Sequence, residues 1–260
     1  MATYNKRGYK APKPQEEAVE NEFEQAVEID EKGSTTAGVF NKLDEGASKT
    51  EEWVARNQKY IFGFVGAIAI ATAGYLLYDK FVVEPKEDDA ANEMFQAQQY
   101  FQQAVEGQAA DSLFALSLKG GEGKLGFLGI VDNYSGTKAA NLAHYYAGMA
   151  YLNTAKYKEA VQQLEQFSSD DMMLKALALG GIGDAFSELD KKEDALTYYK
   201  KAAEANDNEY TTPRFLFKAG QVALALNKKA DAAKFFTQIK EKYEGSAEGA
   251  NIDALIAMTE

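Results

Sequence analysis

The longest apolar segment of the chain is the uncharged run Tyr60–Tyr78. Its nineteen residues, at roughly 1.5 Å each in a helix, match a hydrocarbon core of about 30 Å. Aromatic residues flank the run, Trp53 before it and Phe81 after it, as they do at membrane interfaces. The pattern therefore predicts a single N-terminal transmembrane helix followed by a juxtamembrane turn, together spanning residues 48–83.

The predicted start of this helix is Ser48, because Ser48 and Glu51 have the spacing of a capping box. From Pro14 to Glu52 the chain has twelve acidic residues against three lysines. This composition predicts that residues 1–47 form a disordered acidic tail. A short helix around Val19, Phe23 and Val27 is the alternative for part of that tail.

Basic residues near the run predict its orientation. Four precede it and two follow it: Lys42, Lys49, Arg56 and Lys59 on one side, Lys80 and Lys86 on the other. Because basic residues are retained in the cytoplasm, we expect a cytoplasmic N-terminus, with everything after Val83 exported.

Small residues recur on one face of the run, namely Gly63, Ala67, Ala71 and Gly74. Such spacing allows a second helix to approach closely in lipid. The face is either a helix-packing surface or ordinary membrane-helix composition.

Beyond Pro85 the apolar positions have helical spacing, and the expected fold is all-α. Residues 88–135 are predicted to form a helical region that begins with Asp88–Glu106. The apolar side of this first helix is predicted to carry Met94, Ala97, Phe101, Ala104 and Val105.

A pattern of small and bulky residues then recurs three times between residues 136 and 245. A glycine is followed by an alanine after twelve residues and a bulky residue after sixteen: Gly148, Ala160 and Leu164; Gly183, Ala195 and Tyr199; Gly220, Ala232 and Phe236. The units are 35 and 37 residues apart, close to the period of about 34 residues of the tetratricopeptide repeat.

In such a repeat two helices pack closely where the glycine and alanine lie, and the bulky residue fills the gap against the next unit. The predicted turns between the helices are Asn153–Tyr157, Leu189–Glu193 and Leu226–Ala230. The chain after the membrane helix is thus expected to be a tetratricopeptide-repeat α-solenoid. Residues 88–135 supply a divergent first repeat, and residues 246–260 a capping helix.

Composition limits the chemistry. The net charge of −12 disfavours nucleic-acid binding, which needs basic residues against phosphate. The chain has no cysteine and a single histidine, His144, for which a structural role is expected. Residues 121–126 match G-x-G-x-x-G but lack the surrounding βαβ pattern, and are interpreted as an inter-helix loop. No catalytic, cofactor or metal site is predicted, and the chain is not expected to be an enzyme.

The first helices of such repeats line a concave groove. Seven side chains are the candidates for contact with a partner: Tyr145, Met149, Asn153, Asp184, Ser187, Phe217 and Gln221. The groove lacks the basic residues of repeats that clamp a terminal carboxylate, and its aromatic and methionine side chains suit apolar or extended segments.

The order of these segments resembles that of the YfgM-type ancillary subunits of the bacterial Sec translocon, particularly Bacteroidetes-type members. The resemblance extends over residues 48–258 and is carried by the runs 94–101, 125–128, 136–148 and 178–186. It implies a single-pass subunit of the bacterial inner membrane, with periplasmic repeats, beside SecYEG. Such a subunit works with a PpiD-type peptidyl-prolyl isomerase and binds translocating polypeptides. The alternatives are a scaffold of another envelope assembly machine and an organelle import receptor.

Overall fold

The computed structural model describes residues 35–107 and 110–260, and for residues 35–45 and 49 it describes only the backbone. The tail prediction for residues 1–34, including the helix around Val19, lies outside the described residues. The elements in chain order are α1 (Thr35–Tyr78), a π-helical turn (Asp79–Val83), α2 (Glu84–Glu106), α3 (Ala110–Lys119), β1 (Gly120–Gly121), β2 (Lys124–Leu125), α4 (Phe127–Asn133), α5 (Lys138–Asn153), α6 (Tyr157–Gln166), α7 (Met172–Glu188), α8 (Lys192–Glu204), α9 (Thr211–Ala225), α10 (Lys229–Lys242) and α11 (Ile252–Ala257).

Helix α1 begins at Thr35, so the prediction that the helix starts at Ser48 is wrong. Ser48 lies inside the helix, and residues 35–47 are helical rather than disordered. The physical reason is that no proline lies between Thr35 and Glu84, and a serine–glutamate spacing marks a helix start only where the preceding residues leave the helix.

The continuous helical stretch from Gly46 to Glu106 comprises part of α1, the π-helical turn and α2. By length and composition it is apolar enough to cross a membrane. None of its most apolar window of 18 residues is buried. Its aromatic side chains are exposed, including Tyr60 (79%) and Tyr75 (67%).

Helices α5 to α10 form three consecutive pairs, α5 with α6, α7 with α8 and α9 with α10. The turns of these pairs lie where the sequence predicts them. In each turn one residue adopts a left-handed conformation: Ala155, Asp190 and Asn227. The amide that follows each of them bonds back to a carbonyl five residues earlier, which is the Schellman arrangement that ends a helix.

Glycine creates the space in which the two helices of each pair meet. A Cβ atom at Gly183 would lie 2.7 Å from the Tyr199 ring, and one at Gly148 would lie 2.5 Å from Leu164. Leu164 also contacts Gly181 of the next pair, 3.1 Å from where a Cβ atom would lie. The bulky residue therefore fills space within its own repeat as well as against the next.

Helices α2, α3 and α4 pack against α5 and bury an aromatic cluster. Phe127 stacks on Tyr146 with ring centroids 5.1 Å apart, and Phe101 meets Tyr146 edge-on at 5.2 Å. The Glu87 carboxylate accepts the backbone N–H groups of Lys138 and Ala139 at 2.7 and 2.8 Å and so caps the start of α5.

Two details of this region correct the sequence analysis. Val105, placed on the apolar side of α2, is 63% exposed, whereas Tyr100 is buried. The G-x-G-x-x-G segment forms a β-hairpin, with Gly120 opposite Leu125, rather than an unstructured loop in an all-α fold. Its strands of two residues are too short to show alternation, and the positive φ of Glu122 and Gly123 is typical of a two-residue hairpin turn.

The C-terminal capping helix is α11 and is shorter than predicted. Asn251 precedes it in a left-handed conformation, and Ile252 is 3% exposed. This single buried side chain joins the core formed by α7 to α10.

We expect Gly183→Ala to lower the free energy of unfolding by about 1–3 kcal/mol. The added methyl group meets a buried ring that a hydrogen bond to Asp184 holds in place, and this outweighs the roughly 1 kcal/mol that alanine gains in a helix. Urea unfolding of the full chain in detergent measures the change. Gly245→Ala is the control, because nothing lies within 4 Å of its added methyl group; equal stability of the two variants would contradict the packing described.

Candidate functional site

A pocket of about 500 Å³ opens between the second and third helix pairs. Helices α7, α8 and α9 supply most of its wall, and the first helix pair closes one end. The lining residues are Leu152, Tyr157, Asp184, Ser187, Glu188, Lys192, Tyr199, Lys218, Gln221, Val222 and Ala225.

Asp184 organises the polar side of this pocket. Its Oδ1 accepts hydrogen bonds from the Tyr199 hydroxyl at 2.6 Å and from Lys218 Nζ at 2.5 Å. The Lys218 ammonium also lies 5.6 Å from the centroid of the Tyr199 ring, within cation–π range. Three helices therefore meet at one carboxylate.

The environment of Tyr199 favours its neutral form. Burial raises the pKa of the Tyr199 hydroxyl far above its ordinary value, and the neighbouring Asp184 charge raises it further. At neutral pH the hydroxyl is therefore protonated and donates its hydrogen bond to Asp184.

A second carboxylate, Glu188, lies one helical turn beyond Asp184 on α7. The Tyr157 hydroxyl donates to its Oε2 at 3.3 Å. Lys192 also lines the pocket, and its Nζ lies 2.7 Å from Asp190. The pocket thus combines two carboxylates, two ammonium groups and an apolar wall.

Three of the seven predicted groove residues line this pocket: Asp184, Ser187 and Gln221. Tyr145 and Met149 are half-buried against the core between the first and second pairs, and the Tyr145 ring lies 5.2 Å from that of Phe167. These two side chains stabilise the junction between repeats rather than line an open groove.

The remaining two candidates also have local contacts. Asn153 is exposed and donates to the Met149 carbonyl at 2.8 Å, within its own helix. Phe217 packs edge-on against Phe236 with centroids 6.2 Å apart. The structure therefore does not bring the seven residues into one surface.

Lys218 and Tyr199 line the pocket but are not among the seven groove residues predicted from the sequence. The available signal was helical spacing, because Lys218, Gln221, Val222 and Ala225 recur at i, i+3, i+4 and i+7 on α9. On α9 the prediction of Gln221 agrees with the pocket lining, whereas Phe217 lies next to the lining residue Lys218 and outside the pocket.

Other candidate features have structural accounts. His144 Nδ1 lies 2.8 Å from Gln163 Oε1. Among residues 35–107 and 110–260, no group of three or more histidine and acidic residues could hold a metal ion. On α1, a Cβ atom added at Gly63 or Gly74 would meet nothing within 4 Å, and Ala67 and Ala71 are exposed.

A double-mutant cycle of Asp184→Asn and Lys218→Met should give a coupling energy of about 0.5–1 kcal/mol. The two side chains are 28% and 27% exposed, so solvent screens them only partly, and asparagine keeps an acceptor for the Tyr199 hydroxyl. The cycle is measured by urea unfolding at low and high salt, and coupling should fall as salt rises. The exposed pair Asp231 and Lys234, 3.4 Å apart, is the control, with no measurable coupling expected; equal coupling in both pairs would contradict this account.

Comparison with known proteins supports the repeat assignment. Two family models of the tetratricopeptide repeat match the chain, one over residues 176–209 and the other over residues 215–246. No curated protein and no solved structure is significantly similar to it.

The matched residues contain most of α7 and all of α8, and most of α9 and all of α10, and these helices supply most of the pocket wall. The pair α5 with α6 has the same glycine contact and the same turn. Residues 176–246 therefore contain two tetratricopeptide repeats, and such repeats indicate a protein–protein interaction module.

Proposed function

We propose that the chain is a membrane-anchored protein-binding subunit that serves polypeptides as they cross the bacterial inner membrane. The observation that carries the proposal is the combination, in one chain, of tetratricopeptide repeats and a helix whose apolar surface is exposed. A protein-binding module that is anchored in the membrane binds partners that are also at the membrane.

The anchor is α1, within the span Tyr60–Tyr78. An exposed helix of this apolarity is costly in water and stable in hydrocarbon, where its backbone groups are paired within the helix. Its exposed aromatic side chains at both ends suit the two interfaces. The anchor places the N-terminus in the cytoplasm and the repeats in the periplasm.

The basic residues near the span support this orientation, because four precede it and two follow it.

The machine that best suits these features is SecYEG, with a PpiD-type peptidyl-prolyl isomerase as a second partner. This assignment rests on the resemblance to YfgM-type subunits, and translocating polypeptides are the clients. A scaffold of another envelope machine remains the alternative, and an organelle import receptor is a further one with cytosolic repeats.

Crosslinking in intact membranes followed by purification of the chain separates these alternatives. Recovery of SecY with the chain supports the proposal. Recovery of a different envelope complex without SecY would replace the translocon by that machine.

The orientation predicts the outcome of proteolysis. Protease added to spheroplasts should digest the repeats and spare the N-terminal tail, because four basic residues precede the span and two follow it. Immunoblotting with antibodies against the two ends measures the result, and disrupted cells, in which both ends are digested, are the control. Protected repeats in intact spheroplasts would contradict the periplasmic location.

The small-residue face predicts how the anchor docks. Gly63→Ile with Ala67→Ile should weaken co-purification with SecYEG, because larger side chains prevent the close approach that small residues allow. Both changes increase apolarity and should leave the helix inserted. Quantitative co-purification from solubilised membranes measures the effect.

The matched control is Val65→Ile with Ala69→Ile, which enlarges the opposite face of the same helix. This variant should co-purify at the wild-type yield. An unchanged yield for the Gly63 and Ala67 variant would show that the face is ordinary membrane composition.

A further inference from the structure

The pocket between the second and third repeats contains one carboxylate without a cationic partner. Among the residues that the structure describes, no lysine or arginine nitrogen lies within 4.0 Å of the Glu188 carboxylate. Its carboxylate accepts a hydrogen bond from the Tyr157 hydroxyl at 3.3 Å. A hydroxyl offsets a full negative charge only in part.

Both lysines of the pocket already pair with other carboxylates. Lys218 lies 2.5 Å from Asp184, and Lys192 lies 2.7 Å from Asp190. With Asp190 counted, three carboxylates lie beside two ammonium groups, and the carboxylate left without an ion pair is the exposed Glu188. An incoming cation therefore gains an attraction that an incoming carboxylate lacks.

The rest of the pocket suits the other parts of a basic residue in a polypeptide. Leu152, Val222 and Ala225 form an apolar wall, against which the aliphatic stem of lysine or arginine can lie. The Gln221 side chain is exposed, and the described residues provide no hydrogen bond to its amide. Its donor and acceptor are available to the backbone of an extended chain.

We infer that this pocket binds a lysine or arginine side chain of an extended polypeptide, with Glu188 as the acceptor of its charge. The inference rests on the proposed function, since the occupant is a polypeptide client. It adds what that function leaves open, namely the feature of the client that the second and third repeats recognise.

The experiment measures binding of short capped peptides to the full-length chain in detergent by fluorescence anisotropy. Three probes share a sequence of alanine and leucine and differ at the central residue, which is lysine, norleucine or glutamate. Norleucine keeps the aliphatic stem of lysine without its charge, so the comparison isolates the ammonium group.

The lysine peptide should bind about threefold more tightly than the norleucine peptide, the size expected of a partly exposed ion pair, and the glutamate peptide should bind most weakly. Glu188→Gln should remove the preference for lysine and leave norleucine binding unchanged. Glu241→Gln, an exposed residue outside the pocket, is the matched control and should keep the preference.

Tyr157→Phe tests whether the preference for lysine depends on the Glu188 charge or on the hydroxyl that contacts it. It removes the hydroxyl that contacts Glu188 and retains the ring, so the preference for lysine should persist or increase. Unchanged melting temperatures of the variants confirm that the fold is intact.

Three results would overturn the inference: equal binding of the lysine and norleucine peptides, tighter binding of the glutamate peptide, or no binding of any probe. Each would leave the proposed function standing, because recovery of SecY by crosslinking in membranes tests that function without these probes. Absence of a crosslink to SecY, together with a retained preference for the lysine peptide, would contradict the proposed function and support the inference about the pocket.

Discussion

The close contact between a helix glycine and the bulky side chain sixteen residues later is the interaction on which each repeat depends. At Gly183 this contact also builds the pocket. The Tyr199 ring lies against Gly183, and its hydroxyl reaches Asp184, the next residue on the same helix. Because a larger residue at Gly183 would displace the ring, the packing of the pair and the position of the Asp184 carboxylate have one physical cause.

Ion pairs also connect consecutive repeats. Lys218 of the third pair reaches Asp184 of the second, and Lys228 reaches Glu193 at 2.5 Å. The pocket exists only where consecutive pairs stack, since its walls come from both. A single pair would expose its apolar face and offer half of the binding surface, which is why such repeats function as arrays.

The two surfaces to which functions are proposed differ in chemistry. The α1 surface is apolar and, at Gly63 and Gly74, open to close approach, which suits lipid and a second helix. The pocket is polar and carries the unpaired charge of Glu188, which suits an extended polypeptide in water. The proposed anchor and the proposed recognition pocket therefore lie in separate segments of the chain.

The sequence by itself determined the helical class, the period of the repeats, the turns and the apolar run, because these depend on spacing along one chain. It placed the start of α1 wrongly, since a capping pattern at Ser48 is informative only where the preceding chain is not helical. It also missed the hairpin at Gly120, whose strands are too short to show a period. Three of the seven proposed groove residues line the pocket, whereas the pairing of Asp184 with Lys218 across 34 positions was decided by tertiary structure alone. The rotation of one helix against the next selects which residues of an exposed face converge, and that rotation is set by packing between helices rather than by the pattern within either.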